Sequence, residues 1–131
     1  MANPNIVNVT QIYGVSTQYV PSGTTAVSLL NNAASSGLVY KIDTVFACNT
    51  SSSAVNATLS YYTAATAQGS APSGGTAYPI AYQVSVPPNA TVILSDKTSA
   101  FYLTENACLS ITSGTANNLT FTVSYENISS S

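Results

Sequence analysis

The chain has 131 residues, a length that suggests one domain, and only 5% of them are charged: two lysines and four acidic residues give a formal net charge of −2. Lys41 and Lys97 cannot form a basic patch, so nucleic acid is excluded as a partner. No apolar run approaches the roughly 18 residues of a membrane-spanning helix, so no membrane partner is expected. There is no His, and no motif pairs the acids, so we predict no enzyme.

Apolar and hydroxyl residues alternate along much of the chain, which is the period of a β-strand. The clearest case is Leu119 to Tyr125, and residues 80–86 repeat the same alternation. In each segment we expect one face to be buried and the other to be exposed to solvent. In the segment 38–46, alternation places Lys41 and Asp43 on the outer face. In chain order, strands are predicted at residues 6–12, 26–30, 38–46, 55–61, 80–86, 91–95, 100–103, 107–111 and 119–125.

Turn residues separate these segments, for example Pro87-Pro88-Asn89, and no convincing helix is seen. Eight or nine short strands at near-regular spacing predict an all-β fold, an antiparallel β-sandwich or jelly roll of about eight strands. Residues 1–131 then form one sandwich domain. Residues 66–78 form a flexible Gly/Pro-rich loop, which is either an ordinary surface loop or one that becomes ordered against a partner.

The outward positions carry Ser, Thr, Asn and Gln, with 20 Ser and 17 Thr in the chain. Such a surface can be buried in protein contacts without the desolvation cost of ions, so we expect much of it to face other subunits. The alternative is a salt- or cold-adapted soluble protein. Residues 1–12 are either an N-terminal arm that adds to a neighbour's sheet or an ordinary edge strand. The interface candidates are Ile6, Val7, Val9, Ile12, Tyr13, Tyr61, Tyr62 and Tyr78.

The sequence predicts neither a cofactor nor a metal site. Asp96 and Glu105 flank a short strand and could meet around Ca²⁺, but Asp96-Lys97 reads equally as a turn with a local ion pair. We interpret Cys48 and Cys108 mainly as small buried hydrophobic residues. The alternatives are a disulfide between two strands and a reactive thiol. The first residues lack the basic and apolar segments of a signal peptide, so no Sec export is expected.

Several blocks resemble small virion structural proteins of tailed bacteriophages, especially marine and cyanobacterial ones: residues 1–14, 32–42, 86–94, 102–106 and 123–128. The resemblance implies a virion structural protein, of the capsid decoration or cement kind. We expect such a protein to bind the surface of the capsid and to be made in the host cytoplasm. Its partners would be the major capsid protein or other virion proteins, with self-association as a homotrimer. The alternative is a neck, tail or fibre protein that binds glycans through Tyr61, Tyr62, Tyr78 and the loop before Tyr78.

Overall fold

The structure, a computed structural model, describes residues 11–129. Nearly all of this part of the chain is strand, turn or loop, with a single 3-10 turn at Lys97–Ser99 among the described residues. The strands are β1 Gln11–Tyr19, β2 Val27–Asn32, β3 Leu38–Asn49, β4 Val55–Tyr62, β5 Ala77–Val86, β6 Thr91–Ser95, β7 Phe101–Leu103, β8 Ala107–Ser113 and β9 Leu119–Ser129.

Two antiparallel sheets face each other. The first has the order β1-β9-β3-β6, with β7 also paired to β3, and the second has the order β2-β8-β4-β5. Strands β6 and β7 pair with successive parts of β3, on either side of the 3-10 turn, so they share one strand position. Counting β6 and β7 together, each sheet has four strand positions. In the first sheet β1 lies next to β9 and β3 lies next to β6 and β7, and in the second sheet β2 lies next to β8 and β4 next to β5. This is the order of a jelly roll, and it confirms the predicted fold class.

The core lies between the sheets and is built mainly from the two central strands of each sheet, β9 and β3 in the first and β8 and β4 in the second. In β9 the predicted alternation is confirmed: Leu119, Phe121, Val123 and Tyr125 are buried, and the hydroxyl residues between them are partly exposed. Strand β8 is buried on both faces over most of its length. Burial of these apolar side chains is the dominant favourable contribution to folding.

Two buried asparagines connect the sheets. Asn32, at the end of β2, donates from Nδ2 to the carbonyl oxygens of Leu38 and Leu103 in the other sheet, each at 3.0 Å. Asn49, at the end of β3, donates in the same way to the carbonyl of Val86 in β5, at 3.0 Å. Both side chains are almost completely buried, and the bonds to the carbonyls of Leu103 and Val86 are buried as well, so the amides satisfy carbonyl groups that lie between the sheets.

The predicted alternation in residues 80–86 is wrong for its first half. Ile80 and Tyr82 were expected on the buried face, but they are 40% and 67% exposed, and Ala81 between them is buried. The register between β5 and β4 shifts twice in this region, and Gln83 has a φ of 49°. Each extra residue in a bulge moves the following side chains to the opposite face, which is why a simple alternation fails here.

The first predicted strand also has the wrong boundary. It was expected to end at Ile12, but β1 continues to Tyr19 because it pairs with β9 along its whole length. Gln11 and Ile12 therefore belong to an edge strand of this sandwich. Residues 1–10, the rest of the predicted arm, lie outside the described residues.

Candidate interaction surface

The sandwich has four strand edges, and the side chains that could contact a partner lie along them. Strands β1 and β2 form one side of the molecule, and β5 and β6 form the other, as the contacts within each pair show. An unpaired edge is a ready template for pairing with another chain unless it is covered, distorted or charged. The four edges differ in how they are protected.

The edge of β2 is covered by the loop that follows β4. Ser28 donates its N–H to the carbonyl of Ser70 and accepts from the N–H of Gly69, both at 2.9 Å. The Gln68 side chain donates to the carbonyl of Leu29 at 2.8 Å. The loop thus acts as a short extra strand beside β2. The predicted flexibility of residues 66–78 stays a prediction, although these bonds attach its first part to the sheet.

The edge of β5 is distorted by its two register shifts and contains Pro79, which cannot donate a backbone hydrogen bond. It also carries three exposed apolar side chains: Tyr78, Ile80 and Tyr82 are 59%, 40% and 67% exposed. We call these three residues the β5 patch. An irregular backbone with exposed aromatic rings favours contacts through side chains over the addition of a strand.

The edge formed by β6 and β7 is interrupted by the 3-10 turn and carries charge there. Asp96 Oδ1 accepts from the hydroxyl of Thr98 at 2.5 Å and from its N–H at 3.1 Å. These hydrogen bonds, that of the hydroxyl above all, lower the pKa of Asp96 from its ordinary value. Asp96 and Lys97 are the exposed charged side chains of the part of the chain that the structure describes. Ile93 on β6 is 60% exposed.

The backbone edge of β1 is not hydrogen-bonded to another strand or loop among the described residues, although the loop that covers β2 also contacts this strand: Gln68 Nε2 donates to Thr17 Oγ1 at 3.2 Å. Its nine residues pair with β9 without a register shift, and they include no charge and no proline. Residues 15, 17 and 19 are less exposed than residues 14, 16 and 18, which shows the two faces of the strand. Ile12 and Tyr13 lie on opposite faces, yet they are 56% and 55% exposed.

The predicted interface residues fall into two groups. Ile12, Tyr13 and Tyr78 are exposed on edges, whereas Tyr61 and Tyr62 in β4 are half-buried. The Tyr61 hydroxyl lies 3.1 Å from the Thr104 hydroxyl, and the Tyr62 hydroxyl accepts from a loop N–H. Tyr61 and Tyr78 are register partners, so the structure brings these tyrosines together and leaves Ile12 and Tyr13 on the other side of the sandwich. Ile6, Val7 and Val9 lie outside the described residues. The interface role of all eight residues stays a prediction.

Sequence reasoning missed several exposed apolar residues on the edges. Ile80 and Tyr82 were assigned to the buried face, and Ile93, which is 60% exposed, was not singled out. The signal that could have found the first two is Pro79, because proline inside a strand pattern indicates an edge strand or a bulge.

An open cleft of about 310 Å³ lies beside Tyr61. Much of its polar lining is engaged within the protein: Glu105 accepts the N–H of Gly37 at 2.6 Å, and Asn106 accepts the N–H of Ala65 at 3.2 Å. The carboxylate in this lining is that of Glu105. The cleft is formed by Tyr61, Thr63, Thr104, Glu105, Asn106 and Ala107.

The two carboxylates considered for calcium are used separately, Asp96 in its own turn and Glu105 on the loop before β3. Within residues 11–129, no group of three His, Cys, Asp or Glu side chains could hold a metal ion. Over the same residues, no helix is long and apolar enough to cross a membrane. Both cysteines are free: Cys48 is half-buried in β3 and Cys108 is fully buried in β8, where burial raises the pKa of its thiol.

Comparison with known proteins gives no family: no family model matches the chain, and no curated protein matches it. Solved structures that are similar to this chain include two from viral particles. One is a chain from the acid-stable capsid of Helicobacter pylori bacteriophage KHP30, with 10% identity, 94% of this chain and 91% of that chain covered, and a TM-score of 0.46. The other is from T=1 particles derived from infectious bursal virus, with 13% identity, 92% and 30% coverage, and a TM-score of 0.46. The chain thus spans under a third of that second chain. Similarity at this level does not indicate a function.

Proposed function

We propose that this protein is a non-enzymatic virion structural protein that binds the outer surface of a capsid shell and stabilises it, as a decoration or cement protein. The jelly roll supports the proposal, because this architecture is common in viral capsid domains, although lectins and cupins use it as well. The resemblance of residues 1–14 and 123–128 to phage virion proteins points to the same role.

The observation that carries the proposal is a surface almost without charge and with apolar side chains on its edges. Four of the six charged residues, Lys41, Asp43, Glu105 and Glu126, are half-buried, so exposed charge is concentrated at the 3-10 turn. A free monomer normally uses many exposed charges for solubility and edge protection. Hydroxyl and amide groups can instead be buried at an interface at a lower desolvation cost. Such a surface suits a protein whose sides become covered by neighbouring subunits when it binds a capsid lattice.

The β5 patch is the contact that we assign to the shell. Tyrosine combines a large apolar ring with a hydroxyl group, and it is enriched among the residues that dominate interface energies. Tyr82 is the most exposed of the large hydrophobic side chains in the described residues, at 67%. Binding that bridges shell subunits stabilises the assembled shell by mass action. The predicted homotrimer stays a prediction.

The experiment is co-sedimentation of the purified protein with virions from which it has been stripped. We expect saturable binding, and we expect Tyr82→Ser to weaken it by about tenfold or more, as for a central interface aromatic residue. Tyr102→Ser on β7 is the matched control and should bind as the wild type does. Failure of the wild type to bind, or equal binding by the wild type and Tyr82→Ser, would contradict the proposal.

A second candidate is a neck, tail or fibre protein that binds glycans at the cleft beside Tyr61. The observation that favours it is an aromatic residue next to a carboxylate and an amide, which are typical sugar contacts, in a fold that lectins also use. Titration with simple sugars at millimolar concentration, followed by NMR, tests it. Shifts at residues 104–107 that Glu105→Gln abolishes would support glycan binding, and an unchanged spectrum would contradict it.

A further inference from the structure

We infer that the free edge of β1 pairs with β1 of a second copy of this chain, antiparallel and about a two-fold axis, so that the first sheets of two sandwiches become one continuous sheet. This contact lies on the side of the molecule opposite the β5 patch. It extends the proposed function by naming a self-contact, but it requires no shell to form.

The comparison of the four edges selects β1. Strand β2 is covered by residues 68–70, β5 is bulged and contains Pro79, and the β6–β7 edge is broken by a charged turn. Strand β1 alone offers nine consecutive residues in regular register. On its outer side, no backbone hydrogen bond to another described residue satisfies its N–H and C=O groups. Long, regular and uncharged edges are the ones that pair with other chains.

The exposed side chains of β1 are those that a neighbouring strand would cover. Ile12 lies on the outer face, where it continues a row with its register partner Ile128 and with Val39 beyond it in β3. Ile128 and Val39 are 6% and 4% exposed, whereas Ile12 at the open end of the row is 56% exposed. Tyr13 lies on the core side of the strand and is exposed to a similar extent, 55%. Cross-strand neighbours at these positions would bury apolar area on both faces.

The composition of the strand favours a second copy as the occupant. Because β1 carries no charge, pairing it with itself brings no like charges together. A two-fold axis perpendicular to the sheet also keeps the core faces of both copies on the same side. The core-facing residues of one β1 therefore lie on the same face of the joined sheet as the core-facing residues of the other. Residues 6–10, which precede the strand, have the sequence Ile-Val-Asn-Val-Thr, which is uncharged and β-prone.

The test is the solution mass of the purified full chain, measured by light scattering after size exclusion over dilutions from about 1 mM to about 1 µM. We expect a reversible pair with twice the 13.4 kDa mass of one chain. Ile12→Lys should raise the dissociation constant by about tenfold or more, because it replaces apolar contact by a charge that has no partner across the new strand pair. Ile12→Val should still pair.

The matched control is Ile93→Lys, on the other edge of the same sheet, at a residue that is 60% exposed where Ile12 is 56%. It should pair like the wild type. If Ile12→Lys does not fold, Ser16→Lys, also on an exposed position of β1, replaces it. A monomer at every concentration, a trimer, or equal weakening by Ile12→Lys and Ile93→Lys would overturn the inference. These measurements contain no virions, so their failure is distinct from a failure of shell binding.

Discussion

Asn32 joins the two sheets, and we predict that Asn32→Ala strongly destabilises the fold. Its side chain is completely buried, and Nδ2 donates to the carbonyls of Leu38 and Leu103. Its Oδ1 accepts from the hydroxyl of Ser36 at 2.5 Å. Alanine removes all three bonds at once and leaves two carbonyl groups between the sheets without their donor.

Each buried polar group left unsatisfied costs about 1–3 kcal/mol. The bond to the Leu103 carbonyl is buried and the bond to the Leu38 carbonyl is partly buried, so the two together predict a loss of roughly 2–4 kcal/mol. That loss is a large part of a domain's typical stability of about 5–15 kcal/mol. Equilibrium unfolding in urea measures it as a lower midpoint at an unchanged slope.

The matched control is Asn56→Ala, at an exposed position of β4. A surface change of this kind should alter stability by no more than about 0.5 kcal/mol. If Asn32→Ala destabilises the protein no more than Asn56→Ala does, the amide bonds between the sheets do not contribute as the structure indicates, and the reasoning is refuted.

Three further predictions follow from local geometry. Gly69→Ala should cost roughly 1–2 kcal/mol in urea unfolding, because its φ is +87°, while Gly23→Ala, where an added Cβ meets nothing within 4 Å, should be neutral. Cys48 should react with a thiol reagent well before Cys108, whose thiol is buried and has a raised pKa; equal rates would contradict this. The lowered pKa of Asp96 means that its stabilising contribution is present at neutral pH and is lost as the pH falls below about 4. Asp96→Ala should therefore lower the urea midpoint at pH 7 and progressively less in acid; a pH-independent difference would contradict this.

Much of the fold could be predicted because alternation reports directly on burial where strands pair regularly. Strand β9 pairs with β1 without a shift, and its apolar residues are buried as expected. The alternation fails where bulges occur. In β3 the register with β9 shifts around Asp43, so Val45 and Ala47 face the core and Phe46 does not, although the pattern from Leu38 places Phe46 with Ile42. A bulge depends on the partner strand, which local sequence does not report.

The candidate surface could be predicted only in part, because exposure depends on the position of a strand within its sheet. Ile12, Tyr13 and Tyr78 were chosen from their place near a terminus or a turn, and they are exposed. Tyr82 was missed because β5 is an edge strand with a bulge. Asn32 resembles a turn residue in the sequence, so its burial between sheets could not be seen without the tertiary structure.

The most direct test of the virion role is the number of copies of this chain in purified virus particles, measured by quantitative mass spectrometry with and without protease treatment of the intact particles. The decoration role predicts a copy number within a few-fold of that of the shell subunit, in a position that protease reaches from outside. Absence of the chain from particles, or a copy number far below that of the shell subunit, would contradict it.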